Sequence, residues 1–274
     1  MKIVVPMAGL GSRFAKVADT NPEYRRPKPF IRVHGISMVR WATGSLPFIE
    51  HPGQSVTSAL RVAPADLIFI ILKEHDDAHQ IERGLREIYS HAITVIKLPT
   101  LTRGASETAY QAKKFVPFDE SLIITDSDHY FDGAPLASAI VASTGTDVAG
   151  IIPVFTPPAD NIPRWSYSLT EPSGTRIIRV GEKDRALMQR GAYANIGAYY
   201  FSRAGSFFEI FEQHERENKM FGEEGKKEFY VAPLYQELLD QGKHLEAAIL
   251  PSVWGLGTPA DLERFLAESG ILHP

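Results

Sequence analysis

The chain reads as an α/β protein, a three-layer α/β/α sandwich around a mixed, mainly parallel sheet. Three observations predict this. Short β-branched runs alternate with amphipathic stretches through the first half, the rhythm of strands joined by crossover helices. After about residue 155 the rhythm changes to a hairpin pattern, and helices then resume. With 274 residues, of which 44% are hydrophobic and 23% charged, there is enough apolar material for one substantial core.

The strands of the first half are KIVVP (2–6), LIFIIL (67–72), ITVIKL (93–98), SLIITD (121–126) and DVAGIIPVF (147–155). Between them SMVRWATGSL (37–46), DDAHQIERGLREIY (76–89), ASETAYQAKKF (105–115) and APLASAIVAS (134–143) have helical character. WSYSLT (165–170), the turn EPSG and TRIIRVGEK (175–183) form a hairpin. NIGAYYFS (195–202) is a further strand. Helices follow at 204–215, 230–242 and 259–269. The stretch 47–66 is rich in Pro, Gly and Ser and reads as a long surface loop. No linker divides the chain, so 1–274 is read as one domain.

Charge and composition exclude several classes. The formal net charge is −4, which disfavours general nucleic-acid binding because that needs a basic face. There is no Cys, which removes disulfides, thiolate catalysis and zinc–thiolate sites. No cleavable leader is evident, and the apolar runs are too short to cross a bilayer, so the expected location is the cytoplasm without membrane insertion. Nothing in the sequence sets the oligomeric state, and a homo-oligomer is admitted.

Positive charge is concentrated at the start. The first strand runs into Ala8-Gly9-Leu10-Gly11-Ser12-Arg13-Phe14, and Lys16, Arg25, Arg26 and Lys28 follow. Glycines let backbone N–H groups approach phosphate oxygens, and such a nest attracts anions. A dinucleotide fingerprint fails, because Phe14 stands at the third glycine and no acid follows about twenty residues on. A P-loop fails because no Gly-Lys-Ser/Thr follows. Pro27 and Pro29 stiffen the backbone around Lys28, while Arg25 and Arg26 are read as solvated.

Asp126-Ser127-Asp128 follows a buried-looking strand. In an open parallel sheet, ligands bind beyond the carboxyl ends of strands. Two carboxylates at alternate positions there suit Mg²⁺, which prefers oxygen ligands and substrate phosphates. His129 stands next to the pair, with a metal, nucleotide or packing role left open. His75 and His79 are four apart, a spacing that can bind zinc, but the acids around them fit the first turn of a helix better.

The string P-M-A-G-x-G-S-R-F followed by P-K-P-F resembles the signature of the sugar-1-phosphate nucleotidyltransferases. The resemblance implies a Rossmann-like nucleotide-diphospho-sugar transferase fold of GT-A type. It implies an enzyme that joins a nucleoside triphosphate to a phosphorylated small-molecule acceptor with Mg²⁺ and releases pyrophosphate. Residues 1–146 become the nucleotide- and metal-binding half, and 147–274 the acceptor-binding half. Carried over by position, Arg13 and Lys28 neutralise the triphosphate, and Ala8, Gly9, Gly11 and Ser12 form its loop. Asp128 matches the family's metal-binding Asp, and Asp126 the first Asp of a D-x-D. Leu101 to Thr108 matches the base-reading loop, with Gly104 and Glu107 on the nucleotide, although Pro99 replaces a glutamine found in many members. Gly181-Glu182-Lys183 looks like the E-E-K-P element, which makes Glu182 a hydroxyl ligand and Lys183 a phosphate ligand of the acceptor. Asn195 and Gly197 lie in a counterpart of the N-x-G-I-Y-x-F strand. The C-terminal W-G-L-G-T-P-A-D-L resembles W-x-D-x-G-T-P-x-D-L, but Gly255 stands where a second metal-binding Asp is expected. The members most alike serve capsule and surface-polysaccharide synthesis, and some are cytidylyltransferases. Two rivals share parts of this pattern. One is a nucleotide-sugar-dependent glycosyltransferase, and the other a non-catalytic nucleotide-sugar-binding paralogue.

Overall fold

The computed structural model describes residues 1–52, 56, 59–160, 162–222 and 224–270. The first half supplies β1 (Lys2–Pro6), α1 (Ser12–Ala15), β2 (Arg32–Val33), β3 (Ile36–Ser37), α2 (Met38–Gly44), β4 (Leu67–Leu72), α3 (Lys73–His79), α4 (Ile81–Ile88), β5 (Thr94–Leu98), α5 (Ala105–Tyr110), β6 (Leu122–Thr125), β7 (His129–Phe131) and α6 (Ala134–Ala142). The second half supplies β8 (Val148–Phe155), β9 (Ser166–Thr170), β10 (Ile177–Glu182), α7 (Arg185–Gln189), β11 (Tyr193–Asn195), β12 (Ala198–Phe201), α8 (Ala204–Arg216), α9 (Ala232–Asp240), β13 (His244–Ile249), β14 (Val253–Gly255) and α10 (Pro259–Glu268).

One mixed sheet orders its strands β10-β9-β11-β8-β12-β6-β1-β4-β5, and β13 pairs with β8. The four first-half strands are parallel, with Ile3 opposite both Leu67 and Ile123. From β1 the chain crosses to β4 on one side and later to β6 on the other. The crevice beyond the carboxyl ends of β1 and β6 is therefore a topological switch point, where such sheets hold ligands. The loop Met7–Gly11 leaves β1 there, and Asp126–Asp128 leave β6 beside it. The second-half strands are antiparallel to their neighbours, except β13 on β8.

The apolar runs are continuous because both sheet faces are covered. Val4, Ile68, Ile70, Leu122 and Ile124 face one core, packed by Ala109, Phe207, Phe211 and Leu234 from α5, α8 and α9. Ile3, Val5, Phe69, Ile71 and Ile123 face the other, packed by Val39, Leu85 and Leu136 from α2, α4 and α6. A third cluster joins the chain's ends: Phe14, Tyr24, Ile31 and Trp41 pack on Leu256, Leu262 and Phe265. Each such side chain contributes about 1.5–3 kcal/mol on burial. That cluster anchors the segment carrying Arg13 and Lys28.

Four elements differ from expectation. The helix expected over 76–89 is two, α3 and α4. They meet at Gln80, which is left-handed at φ 53° and is followed by a new turn whose Glu82 N–H donates to the Asp76 carboxylate at 2.8 Å. The strand expected over 195–202 breaks into β11 and β12 at Gly197, φ 87°. The strand β13 was not expected. HLEAAI lacks β-branched residues until its last position, and parallel pairing with β8 overrides that weak propensity. The described ends of the 47–66 loop are not surface features, since Phe48, Ile49 and Val62 are buried and the Val62 N–H donates to the Phe48 carbonyl at 2.8 Å. Residues 53–55 and 57–58 of that loop lie outside the described residues.

Candidate active site

Three adjoining hollows occupy the switch point. The first, of about 530 Å³, is lined by Ala8, Gly9 and Gly11 after β1, by Lys28, by Leu101–Ala105 and by Asp126–Asp128. The second is a small notch of about 180 Å³ between Gly11, Ser12, Arg13, Lys28 and Gly257. The third, of about 700 Å³, holds Arg13, Asp126, Glu182, Lys183, Asn195 and Gly197. Arg13 and Lys28 thus converge on the same cleft as the two carboxylates. Asp126 borders both large hollows.

Lys28 sits in a single 3-10 turn held by Phe30 N–H donating to the Pro27 carbonyl at 2.8 Å. Its ammonium lies 2.6 Å from Asp128 Oδ2. Burial favours the neutral acid at Asp128, but the Lys28 ammonium outweighs it and holds this carboxyl below its ordinary value. Asp126 has no such partner, so burial and then the Asp128 charge push it up. The two carboxyls are therefore pushed in opposite directions although they are two residues apart. His129 is 2% exposed and burial pushes its imidazole down to about 4, so it is neutral near pH 7.

Asp126, Asp128 and His129 each offer one ligand atom, and these lie within 4.8 Å of one another. Two glycines hold the carboxylates close to backbone. A Cβ at Gly197 would fall 2.1 Å from Asp126 Oδ2, and one at Gly257 would fall 2.4 Å from Asp128 Oδ2. Gly255 lies opposite His129 in the β14–β7 pair, and its open side faces the Asp261 carboxyl at 3.7 Å. Asp261 is engaged elsewhere, accepting from Thr258 Oγ1 at 2.6 Å at the start of α10.

In the third hollow Glu182 ends β10, and burial pushes it up to about 7 against the opposing pull of Lys183. Lys183 is left-handed at φ 49°, a rare conformation for a side chain of its kind, and its ammonium donates to Tyr230 OH at 3.1 Å. Asn195 Oδ1 accepts from Ser168 Oγ at 2.8 Å, while its buried Nδ2 has no partner among the described residues. A polar hollow with an unpaired donor, a buried acid and several cations can hold a hydroxylated anion.

The residues expected from the sequence are brought together with one exception. Glu107 does not line a hollow: it accepts from the Arg103 guanidinium and backbone N–H, and Arg103 also lies 4.8 Å over the Phe229 ring. Arg25 pairs with Asp19 at 3.4 Å and Arg26 with Glu23, away from the hollows. His75 and His79 join no metal-binding group among the described residues, and their neighbour Asp76 pairs with Lys97 at 2.6 Å. Sequence reasoning missed the segment 219–230. It contributes Met220 and Lys227 to the first hollow, Lys226 and Tyr230 to the third, and Glu228 to both. Its signal was slight, a lysine pair after Gly225 in a stretch without periodicity.

No family model and no curated protein sequence matches the chain. Solved structures do. A nucleoside-diphosphate-sugar pyrophosphorylase from Vibrio cholerae superposes with a TM-score of 0.72 at 23% identity, over 97% of this chain and 100% of that one. The chain shares the fold of that structure. A UTP-bound UGPase from Acinetobacter baumannii gives 0.68 at 15% identity, over 100% and 94%. An inositol-1-phosphate CTP transferase from T. maritima gives 0.64 at 15%, over 99% and 98%. The shared fold thus spans nearly the whole chain, and its switch-point crevice holds the three hollows. Among the described residues, no helix is long and apolar enough to cross a membrane.

Proposed function

We propose that the protein is a nucleotidyltransferase that joins a nucleoside triphosphate to a phosphorylated sugar or small metabolite and releases pyrophosphate. The observation that carries this reading is the convergence of Arg13, Lys28, Asp126 and Asp128 on one cleft that opens into two further-reaching hollows. One hollow takes the nucleotide and the other the acceptor. Names of the structural neighbours, which include UTP and CTP users, agree with that division.

In this reading the Gly9–Ser12 backbone, Arg13 and Lys28 hold the triphosphate. Lys183 holds the acceptor phosphate, and Glu182 and Asn195 meet its hydroxyls. Gly104 and the rest of Leu101–Ala105 border the base. Two anions must approach each other, so fixed positive charge is the main catalytic device. Alignment of the acceptor oxygen with the α-phosphorus lowers the entropic part of the barrier. An ionised phosphate needs no general base. Asp126 and Asp128 would hold Mg²⁺, and their hard oxygen donors fit that ion. When bound, it supplies Lewis-acid neutralisation of the phosphate charge. The acceptor half draws on 147–274, but Lys227 and Glu228 also border the nucleotide hollow.

A matrix of nucleoside triphosphates against phosphorylated sugars and polyols, read by pyrophosphate release, tests the reading. Release with a restricted set of pairs is expected. Absence of release from every pair would overturn it, and release of nucleoside diphosphate from a nucleotide-sugar would install the glycosyltransferase in its place.

A further inference from the structure

His129 has no task in the mechanism above, yet it is among the most enclosed polar residues near the cleft. It opens β7 directly after Asp128 and is 2% exposed. Its Nε2 meets Thr125 Oγ1 at 3.3 Å, and its buried Nδ1 has no hydrogen-bond partner among the described residues. Leaving a buried ring nitrogen unpaired is costly, and a ligand at Nδ1 would remove that cost. Its imidazole is grouped with Asp126 and Asp128, the three ligand atoms lying within 4.8 Å of one another. Two ligands of one ion at about 2.1 Å lie at most about 4.2 Å apart, so a small inward shift of these side chains would bring all three ligand atoms onto a single cation. The residue across the strand pair, Gly255, offers no side chain.

The geometry points to His129 as the third protein ligand of the cation site, with a site that in consequence takes Mn²⁺ more tightly than Mg²⁺. Mg²⁺ prefers an all-oxygen shell, whereas imidazole is a good donor to transition metals. The inference rests on the proposed function only for the phosphates that would share the cation.

The test uses the full chain with Mn²⁺ and inorganic pyrophosphate, a probe that contains no nitrogen. Pulsed EPR of the bound Mn²⁺ reads nitrogen coupling directly. We expect a ¹⁴N signal that changes to ¹⁵N in protein grown with ¹⁵N-histidine, an experiment that needs no substitution. His129→Phe keeps the ring packed on Phe131, whose centroid lies 5.3 Å away, and should abolish the signal. The same variant should weaken Mn²⁺ by about tenfold or more, with a smaller change for Mg²⁺. Absence of nitrogen coupling in the wild type, insensitivity to the histidine label, or persistence of the signal in the variant would each overturn the assignment. Nitrogen coupling without pyrophosphate release from any pair supports the ligand and overturns the activity. Release without nitrogen coupling does the reverse.

Discussion

In the proposed reaction Lys28 and Arg13 are the residues on which the chemistry leans hardest, and neither is deep in a core. Lys28→Ala or Arg13→Ala should lower turnover by about 10²–10³-fold, read by pyrophosphate release. By calorimetry Arg13→Ala should leave the melting temperature nearly unchanged, whereas Lys28→Ala, which leaves Asp128 without its partner, should lower it. Gly197→Ala and Gly257→Ala should also abolish most turnover, since each added methyl would drive into a carboxylate of the proposed cation site. Cation affinity by titration calorimetry should fall with it. Glu182 provides a pH test. Its folded pKa is raised to about 7 from 4.5, so the folded state holds a proton that the unfolded state has lost. Stability from this group is full below pH 4.5 and declines as pH rises towards 7. Glu182→Gln should therefore melt higher than wild type at pH 8, by about 2–4 °C for each 1 kcal/mol relieved, and match it near pH 4. The gathering of these residues at one cleft was legible in the sequence because glycine loops, a proline-flanked lysine and alternate aspartates are local patterns. Glu107 shows the limit: its position by the loop was legible, but its capture by Arg103 depends on where α5 and Phe229 meet.

The elements show the same division between local and distant information. Strands β1, β4, β6 and β8 were readable because both of their faces are buried and, apart from Lys2 and Thr125, they are apolar. Strand β13 was not, because its pairing partner β8 lies about 95 residues back and its own residues are indifferent strand formers. The break at Gln80 was hidden because apolar spacing continues across it. Gln80→Gly should raise the melting temperature slightly, since a left-handed position costs a side chain about 1 kcal/mol that glycine avoids. A fall in the melting temperature would show that contacts of Gln80, such as the 3.3 Å bond from Arg83, outweigh that cost. The segment 219–230 reaches its place by docking rather than by any period. Phe229 exchanges backbone bonds with Arg103 and Ser106, which ties it to the loop that borders the first hollow.

At the scale of the whole chain, the two halves are stitched along the sheet. Strand β12 pairs with β6 over Ala198–Phe201, and each main core draws side chains from both halves. Unfolding in urea should be a single transition, with fluorescence of the tryptophans coincident with far-UV circular dichroism. Phe201→Ala, at the centre of the sheet and fully buried, should cost about 3–5 kcal/mol without splitting that transition. The third cluster adds a closure that no local pattern foretold. The last helix packs on the first loop, so shortening the chain before Phe265 should loosen Arg13 and Lys28 although neither is removed.

The ion pair between Lys28 and Asp128 has a thermodynamic corollary. At rest each partner already satisfies the other, so a nucleotide arriving alone would strand a carboxylate, and a cation arriving alone would strand an ammonium. Arriving together they exchange two pairs for two pairs. The two guests should therefore each sharpen the other's grip, by one and the same factor.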